Sequence, residues 1–178
     1  ERERLLQRVL RVDPADGLLM AGEAGQNLTW MDAKVDGVVM TPRHGKAVEL
    51  CALWINALAV MRDAAALLGE PDTYSAHLAQ ASARFARFWD AERGYLRDVL
   101  DPDDTTLRPN QLIAAMLPTV PLTQAQVRSI VDVCHTALYT PFGMRTLPPD
   151  DPNYHGRFVG DWRTRDSMYH QGPAWSWL

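Results

Sequence analysis

Only two cysteines occur in the 178 residues, too few for a disulfide framework. Cys51 and Cys134 each fall at an apolar position of a helical pattern, so they read as buried reduced thiols, which suits a cytoplasmic protein. Metal-ligand spacing is missing as well. His44, His77, His135, His155 and His170 form no His-x-x-x-His pair and no Cys-x-x-Cys stands beside them, so no metal site is expected. Blocks of like charge are absent. A formal charge of −4 without basic runs argues against nucleic acid and anionic membranes as partners. No apolar run approaches the ~20 residues of a membrane span, and Glu1-Arg2-Glu3-Arg4 is the opposite of a signal peptide. Without such a signal, the glycosylation sequon Asn27-Leu28-Thr29 reads as a chance match.

What is present is a chain with 47% hydrophobic residues, long enough for one domain that buries roughly 70% of its unfolded surface. Its last residues, Ala174-Trp175-Ser176-Trp177-Leu178, are apolar and aromatic, and they read as the cut edge of a longer domain. Helical patterns dominate. Residues 1–12 carry Leu5, Leu6, Val9 and Leu10 on one side, before Asp13-Pro14. Thr41-Pro42 opens a long helix that stops at Gly69, with Ala47, Leu50, Cys51, Trp54, Leu58, Met61, Ala65 and Leu68 as its apolar stripe. A second helix follows Pro71-Asp72, with Tyr74, Leu78, Ala81, Phe85 and Phe88 in register. Gly94 to Val99 reads as a short extended stretch, and Asp101-Pro102-Asp103-Asp104 as a solvated acidic loop. Further helices are expected from Pro109 or Asn110 to Leu117, and from Thr123, whose capping box pairs it with Gln126.

Two long turn-rich stretches interrupt these helices, Asp16 to Met40 and Thr140 onward. Loops of that length in a compact domain tend to be functional. The first contains Leu28-Thr29-Trp30-Met31-Asp32-Ala33-Lys34-Val35, an aromatic residue beside a single carboxylate. Asp32 there is either a turn or capping residue or a catalytic group. The second is crowded with Arg145, Tyr154, His155, Trp162, Arg165, Tyr169, His170, Gln171 and Trp175. Aromatic faces beside paired donors and acceptors suit a sugar, whose C–H face stacks while its hydroxyls bond. On the long helix, Glu49 and Asn56 lie seven residues apart on one face, either as a structural pair or as ligand-binding groups.

Several ordered motifs carry a family resemblance. They are Leu28-Thr29-Trp30-Met31-Asp32-Ala33, Thr41-Pro42-Arg43-His44-Gly45-Lys46-Ala47-Val48-Glu49 running on to Leu58, Arg108-Pro109-Asn110-Gln111, Gly143-Met144-Arg145-Thr146-Leu147, Asp151-Pro152-Asn153-Tyr154, and Arg165-Asp166-Ser167-Met168-Tyr169-His170-Gln171-Gly172. Together they resemble the C-terminal glucosidase domain of glycogen debranching enzymes over nearly the whole chain. The resemblance implies an all-α fold, part of a six-fold α/α barrel with long polar-aromatic loops. It also implies inverting hydrolysis of α-1,6-linked glucose at glycogen branch points without a cofactor.

By the same resemblance Asp32 is the general acid, and the general base is a Glu beyond Leu178. An inverting site needs that second carboxyl ~6.5–9.5 Å from the first. The matched positions Trp30, Arg43, Lys46, Glu49, Trp54, Asn56, Arg108, Asn110, Gln111, Tyr169, His170, Gln171 and Trp175 become candidates for the glucose pocket. The partner is then a glycogen-type polysaccharide or oligosaccharide. Cys51, Ile55 and Pro173-Ala174 depart from the family's usual residues, which keeps other linkages and a trehalase-like enzyme in play. A non-catalytic carbohydrate-binding fragment is the other alternative. Twelve helices of typical length need roughly 200 residues with their connections, so residues 1–178 are expected to be part of one such domain. By itself this piece is expected to be inactive and to self-associate through exposed apolar helix faces.

Overall fold

Short hairpins alternate with helices through the chain in the computed structural model, which describes residues 10–178. In order the elements are β1 (Leu10–Val12), β2 (Leu19–Ala21), β3 (Lys34–Val35), β4 (Val38–Val39), β5 (Lys46–Ala47) and the long helix α1 (Val48–Leu68). Then come α2 (Ser75–Phe85), a 3-10 turn over Ala86–Phe88, β6 (Trp89–Asp90), β7 (Tyr95–Leu96) and β8 (Val99–Leu100). The last part holds α3 (Gln111–Met116), α4 (Gln124–Leu138), β9 (Tyr139–Thr140), β10 (Gly143–Arg145), α5 (Trp162–Ser167) and β11 (Ala174–Trp175).

The expected all-α barrel is therefore overturned. The described residues are 37% helical and 16% strand, in several small sheets. The physical reason is that α3 and α5 are only six residues long, too short to form layers of a toroid, while antiparallel pairings pin the segments between helices. β1 pairs with β2, β3 with β4, β5 with β8, β6 with β7, and β10 lies between β9 and β11. Two of these strands close across sequence. β5 and β8, from opposite sides of α1 and α2, place Lys46 opposite Leu100 and Ala47 opposite Val99.

Several sequence expectations change with that architecture. Leu10–Val12 is a strand, while the rest of the helix expected over residues 1–12 lies outside the described residues. The long helix begins at Val48 instead of Thr41-Pro42, because residues 45–47 are drawn into extended pairing. Gly45 makes this possible. Its φ is +110°, and a Cβ there would stand 2.6 Å from the Asp101 carbonyl oxygen and 2.7 Å from that of Leu100. A side chain cannot enter a gap that narrow.

α1 packs against α2 and α3, and α3 against α4. Its buried face is Val48, Cys51, Ala52, Ile55, Leu58, Ala59 and Ala65, so the stripe is rotated from the expected one and leaves Met61 and Leu68 exposed. It shares one continuous core with Leu18, Ala81, Phe85, Phe88, Leu96, Ala114, Ile130, Cys134 and Leu138. Each fully buried large apolar side chain contributes ~1.5–3 kcal/mol. Both thiols are free and buried, and burial pushes each up to about 12. α1 also corrects the reading of apolar runs. Its 21 residues are long and apolar enough, by length and composition, to cross a membrane, although part of its surface forms the core. The adjacent Arg62 and Asp63 interrupt the apolar run without lowering the mean hydropathy of the helix below that of a span.

The termini of the helices follow local chemistry. Asp72 accepts from the backbone N–H groups of Tyr74 and Ser75 ahead of α2. Thr123 and Gln126 make the full capping box of α4. α1 has no side-chain cap, and the carbonyl of Asp98 accepts the Val48 N–H instead at 3.0 Å. The two-residue turn Asp36-Gly37 between β3 and β4 has positive φ at both positions, 48° and 83°, the conformation that tight hairpins demand. Arg163 on α5 reaches that turn and pairs with Asp36 at 2.9 Å. This contact draws the Trp30 loop and the second long loop together.

Candidate active site

Trp30 is the meeting point of those loops. Its ring stands edge-on to His170 at a centroid separation of 5.0 Å, to Trp177 at 4.7 Å and to Trp175 at 6.0 Å. His170 in turn stacks on Trp175 at 5.5 Å, and Tyr169 meets both at 4.9 Å. Edge-to-face and offset contacts of this kind add to plain burial. Phe158 extends the group through Tyr169. The result is an aromatic wall built from residues 140 positions apart, of which Trp30, Tyr169 and Trp175 are only partly buried.

Beside this wall stands Asp32. Its side chain is 71% exposed, and its Oδ1 lies 4.0 Å from Nε2 of the fully buried His170. Among the described residues neither ring nitrogen of His170 has a hydrogen-bond partner, and neither does the indole Nε1 of Trp175. Burial, with the nearby Arg108 and Arg43 cations adding to it, lowers His170 to about 4. His170 is therefore a neutral imidazole at physiological pH, with one donor and one acceptor free. A separation of 4.0 Å is too long for a direct hydrogen bond.

Beneath the wall lies a polar cluster that is closed to water. Arg43 donates from Nη1 and Nη2 to the two oxygens of Glu49, both at 2.6 Å, and from Nε and Nη2 to Asp98 at 2.5 and 2.9 Å. These three side chains are 1–2% exposed. Burial works against the Arg43 charge, but Asp98 and Glu49 outweigh it and hold the guanidinium above its ordinary value. Asn110 donates to Asp98 at 2.8 Å and accepts the indole N–H of Trp30 at 2.8 Å. Arg108 donates to the carbonyls of Thr146 and His170 and to Gln171 Oε1. Gln171 passes on to the Met40 carbonyl and Thr41. Gln111 accepts the Leu96 N–H and donates to the Arg108 carbonyl.

Three sequence candidates lie in other networks. Lys46 is buried with its ammonium between Asp13, Asp16 and Asp101 at 2.8, 2.7 and 2.6 Å. Those three carboxylates are grouped as metal ligands would be, and the Lys46 ammonium is the cation they surround. Arg87 bonds Asp16 and Asp101 from outside, so the acidic loop is ion-paired at Asp101, contrary to the solvated loop expected. Trp54 donates to the Gly17 carbonyl and packs on the core. Asn56 accepts from Thr119 instead of facing Glu49, so the two do not form a pair.

Asp98 escaped the sequence reading. It stands alone in a short extended stretch, and nothing local indicates that Arg43, 55 positions earlier, reaches it. A cleft of about 450 Å³ lined by Tyr95, Thr105, Leu107, Pro148 and Asp151 includes neither Asp32 nor Trp30. A smaller one of about 250 Å³, lined by Phe158, Tyr169, Pro173, Ala174 and Trp175, adjoins the aromatic wall. The wall, with partly exposed aromatic rings and an exposed carboxylate at its edge, is where a polar ligand with an apolar face fits best.

Comparison with known proteins bears on what that ligand is. The glycogen debranching enzyme of Saccharomyces cerevisiae (strain ATCC 204508 / S288c) is 36% identical over 97 residues, covering 48% of this chain. The match spans only 6% of that protein's length. The amylo-alpha-1,6-glucosidase family profile matches residues 6–178, which include the Trp30 loop, the Arg43 cluster and the His170 segment. The chain belongs to the amylo-alpha-1,6-glucosidase family.

Proposed function

We propose that this chain contributes the acid side of an inverting α-1,6-glucosidase site acting at glycogen-type branch points, with Asp32 as the general acid. The observation that carries the reading is the placement of Asp32, an exposed carboxyl group at the edge of an aromatic wall whose buried imidazole brings Nε2 to 4.0 Å. A glucose residue stacks its C–H face on the exposed parts of Trp30 or Trp175, beside the exposed carboxyl of Asp32. Asp32 then protonates the glycosidic oxygen as the bond to the anomeric carbon breaks. A second carboxylate activates water on the opposite face of the sugar.

Glu49 and Asp98 do not serve as that base. Both are sealed against water and locked to Arg43. The base is a carboxylate from outside this sealed cluster. Sugar contact falls to Trp30, Tyr169 and Trp175, and the buried His170 packs behind them. Arg43, Glu49, Arg108, Asn110, Gln111 and Gln171 build the floor that holds them.

The test is glucose release from an α-1,6-branched limit dextrin by the natural-length protein, wild type beside Asp32→Asn. Loss of at least about a hundredfold in kcat, with saccharide binding retained, is the expected result for a removed general acid. Undiminished release removes Asp32 from the mechanism. Saccharide binding by a wild type that releases no glucose would favour a non-catalytic binding module.

A further inference from the structure

The sealed cluster contains one side chain with no part in the chemistry above. Asp98 Oδ1 accepts from Arg43 Nη2 and Asn110 Nδ2, and its Oδ2 accepts from Arg43 Nε. A carboxylate can only accept. The amide of Asn110 is therefore forced to turn its NH₂ toward Asp98, which leaves Oδ1 as the group facing the indole N–H of Trp30. With the opposite orientation the amide oxygen would face the carboxylate and its NH₂ would face the indole N–H, repelling both. Asn110 is 0% exposed, so water cannot relieve that mismatch.

We infer that Asp98 is a positioning residue for the saccharide site, fixing the Asn110 amide and through it the plane of the Trp30 ring. The inference rests on the reading that Trp30 is part of the sugar-binding wall. It assigns Asp98 a role beyond that of counter-ion to Arg43, which Glu49 also neutralises at 2.6 Å. Arg108 approaches the same carboxylate, its Nε 3.7 Å from Oδ2, while its Nη1 holds the His170 carbonyl at 2.9 Å. One buried charge thus stands behind both rings that flank the exposed Asp32.

Fluorine NMR of the natural-length protein labelled with 5-fluorotryptophan tests this, with the Trp30 resonance identified by its loss in Trp30→Phe. Asp98→Asn and Asn110→Leu should both move or broaden that resonance. KM for the branched dextrin should rise roughly tenfold, and kcat should fall by less, as one buried hydrogen bond is lost. The exchange variant Asp98→Asn with Asn110→Asp restores a donor and an acceptor in the opposite order, and should return the resonance toward its wild-type position. A Trp30 resonance unmoved in folded Asn110→Leu overturns the inference, even if Asp98→Asn fails to fold. So does an exchange variant that folds without recovery. A wild type that releases no glucose defeats the proposed function alone, since the fluorine signal reports on Asp98 without any substrate.

Discussion

Lys46 and Arg43 stand three residues apart and both are buried, yet their partners meet water differently. Around Lys46, Asp13 is 24% exposed, Asp101 38% and the bridging Arg87 39%. Around Arg43 every partner is 1–2% exposed. The first cluster is a staple at the edge of the fold, joining the β1–β2 turn to the end of β8. The second is a floor. Its charges carry no solvent, so the groups it holds, Trp30 and Asn110, inherit a fixed geometry. Hydration of the partners, more than burial of the cation, separates a cluster that fastens chain segments from one that sets a site.

That contrast fails if the two cations cost the same to remove. Arg43→Met should destabilise by ~3–5 kcal/mol in urea unfolding, because Glu49 and Asp98 are both left buried without a cation. The next largest effect concerns His170, which faces Arg43, Arg108 and Asp32. Its native value of about 4 lies below the ordinary 6.5, so the unfolded chain takes up a proton that the native imidazole refuses. Stability should be unaffected by this group above pH 6.5 and should fall by ~1.4 kcal/mol per pH unit as pH drops toward about 4. Urea midpoints between pH 7 and 4 check this, and His170→Phe should flatten the slope.

Lys46→Met should cost less than Arg43→Met, about 1–3 kcal/mol, since Asp13 and Asp101 can turn to water and Arg87 still pairs with Asp16. Equal losses for the two methionine variants would sink the distinction drawn here. Thr123→Ala supplies a reference outside both clusters. Loss of its capping bond at the start of α4 should cost ~1 kcal/mol, read as a shift in thermal midpoint.

Much of the scaffold was legible because helices announce themselves locally. The Thr123–Gln126 box and the stop at Gly69 follow from spacing and caps alone. The phase of α1 was not, since Leu50, Met61 and Leu68 repeat with the same period as Cys51, Leu58 and Ala65, and only the packing against α2 and α3 chooses between them. Two-residue strands carry no period at all. That is why the helical pattern extends over β5, while the all-α expectation came from the family resemblance. In the site, Trp30, Tyr169, His170 and Trp175 were legible through the family motifs and come together. Lys46, Trp54 and Asn56 shared the motifs without sharing the place. Asp98 left no trace, because its role is set by contacts 12 and 55 positions away.

The carbonyl of Asp98 also closes the first turn of α1, while its own N–H bonds the Asp104 carbonyl at 2.8 Å and the Asp104 N–H bonds that of Val99 at 2.9 Å. Opening any one of these amides therefore requires the start of the longest helix, the β8 turn and the Arg43 fork to release together. Hydrogen exchange at Val48, Asp98 and Asp104 should proceed at one common rate, as a single cooperative unit that opens only with the floor of the site.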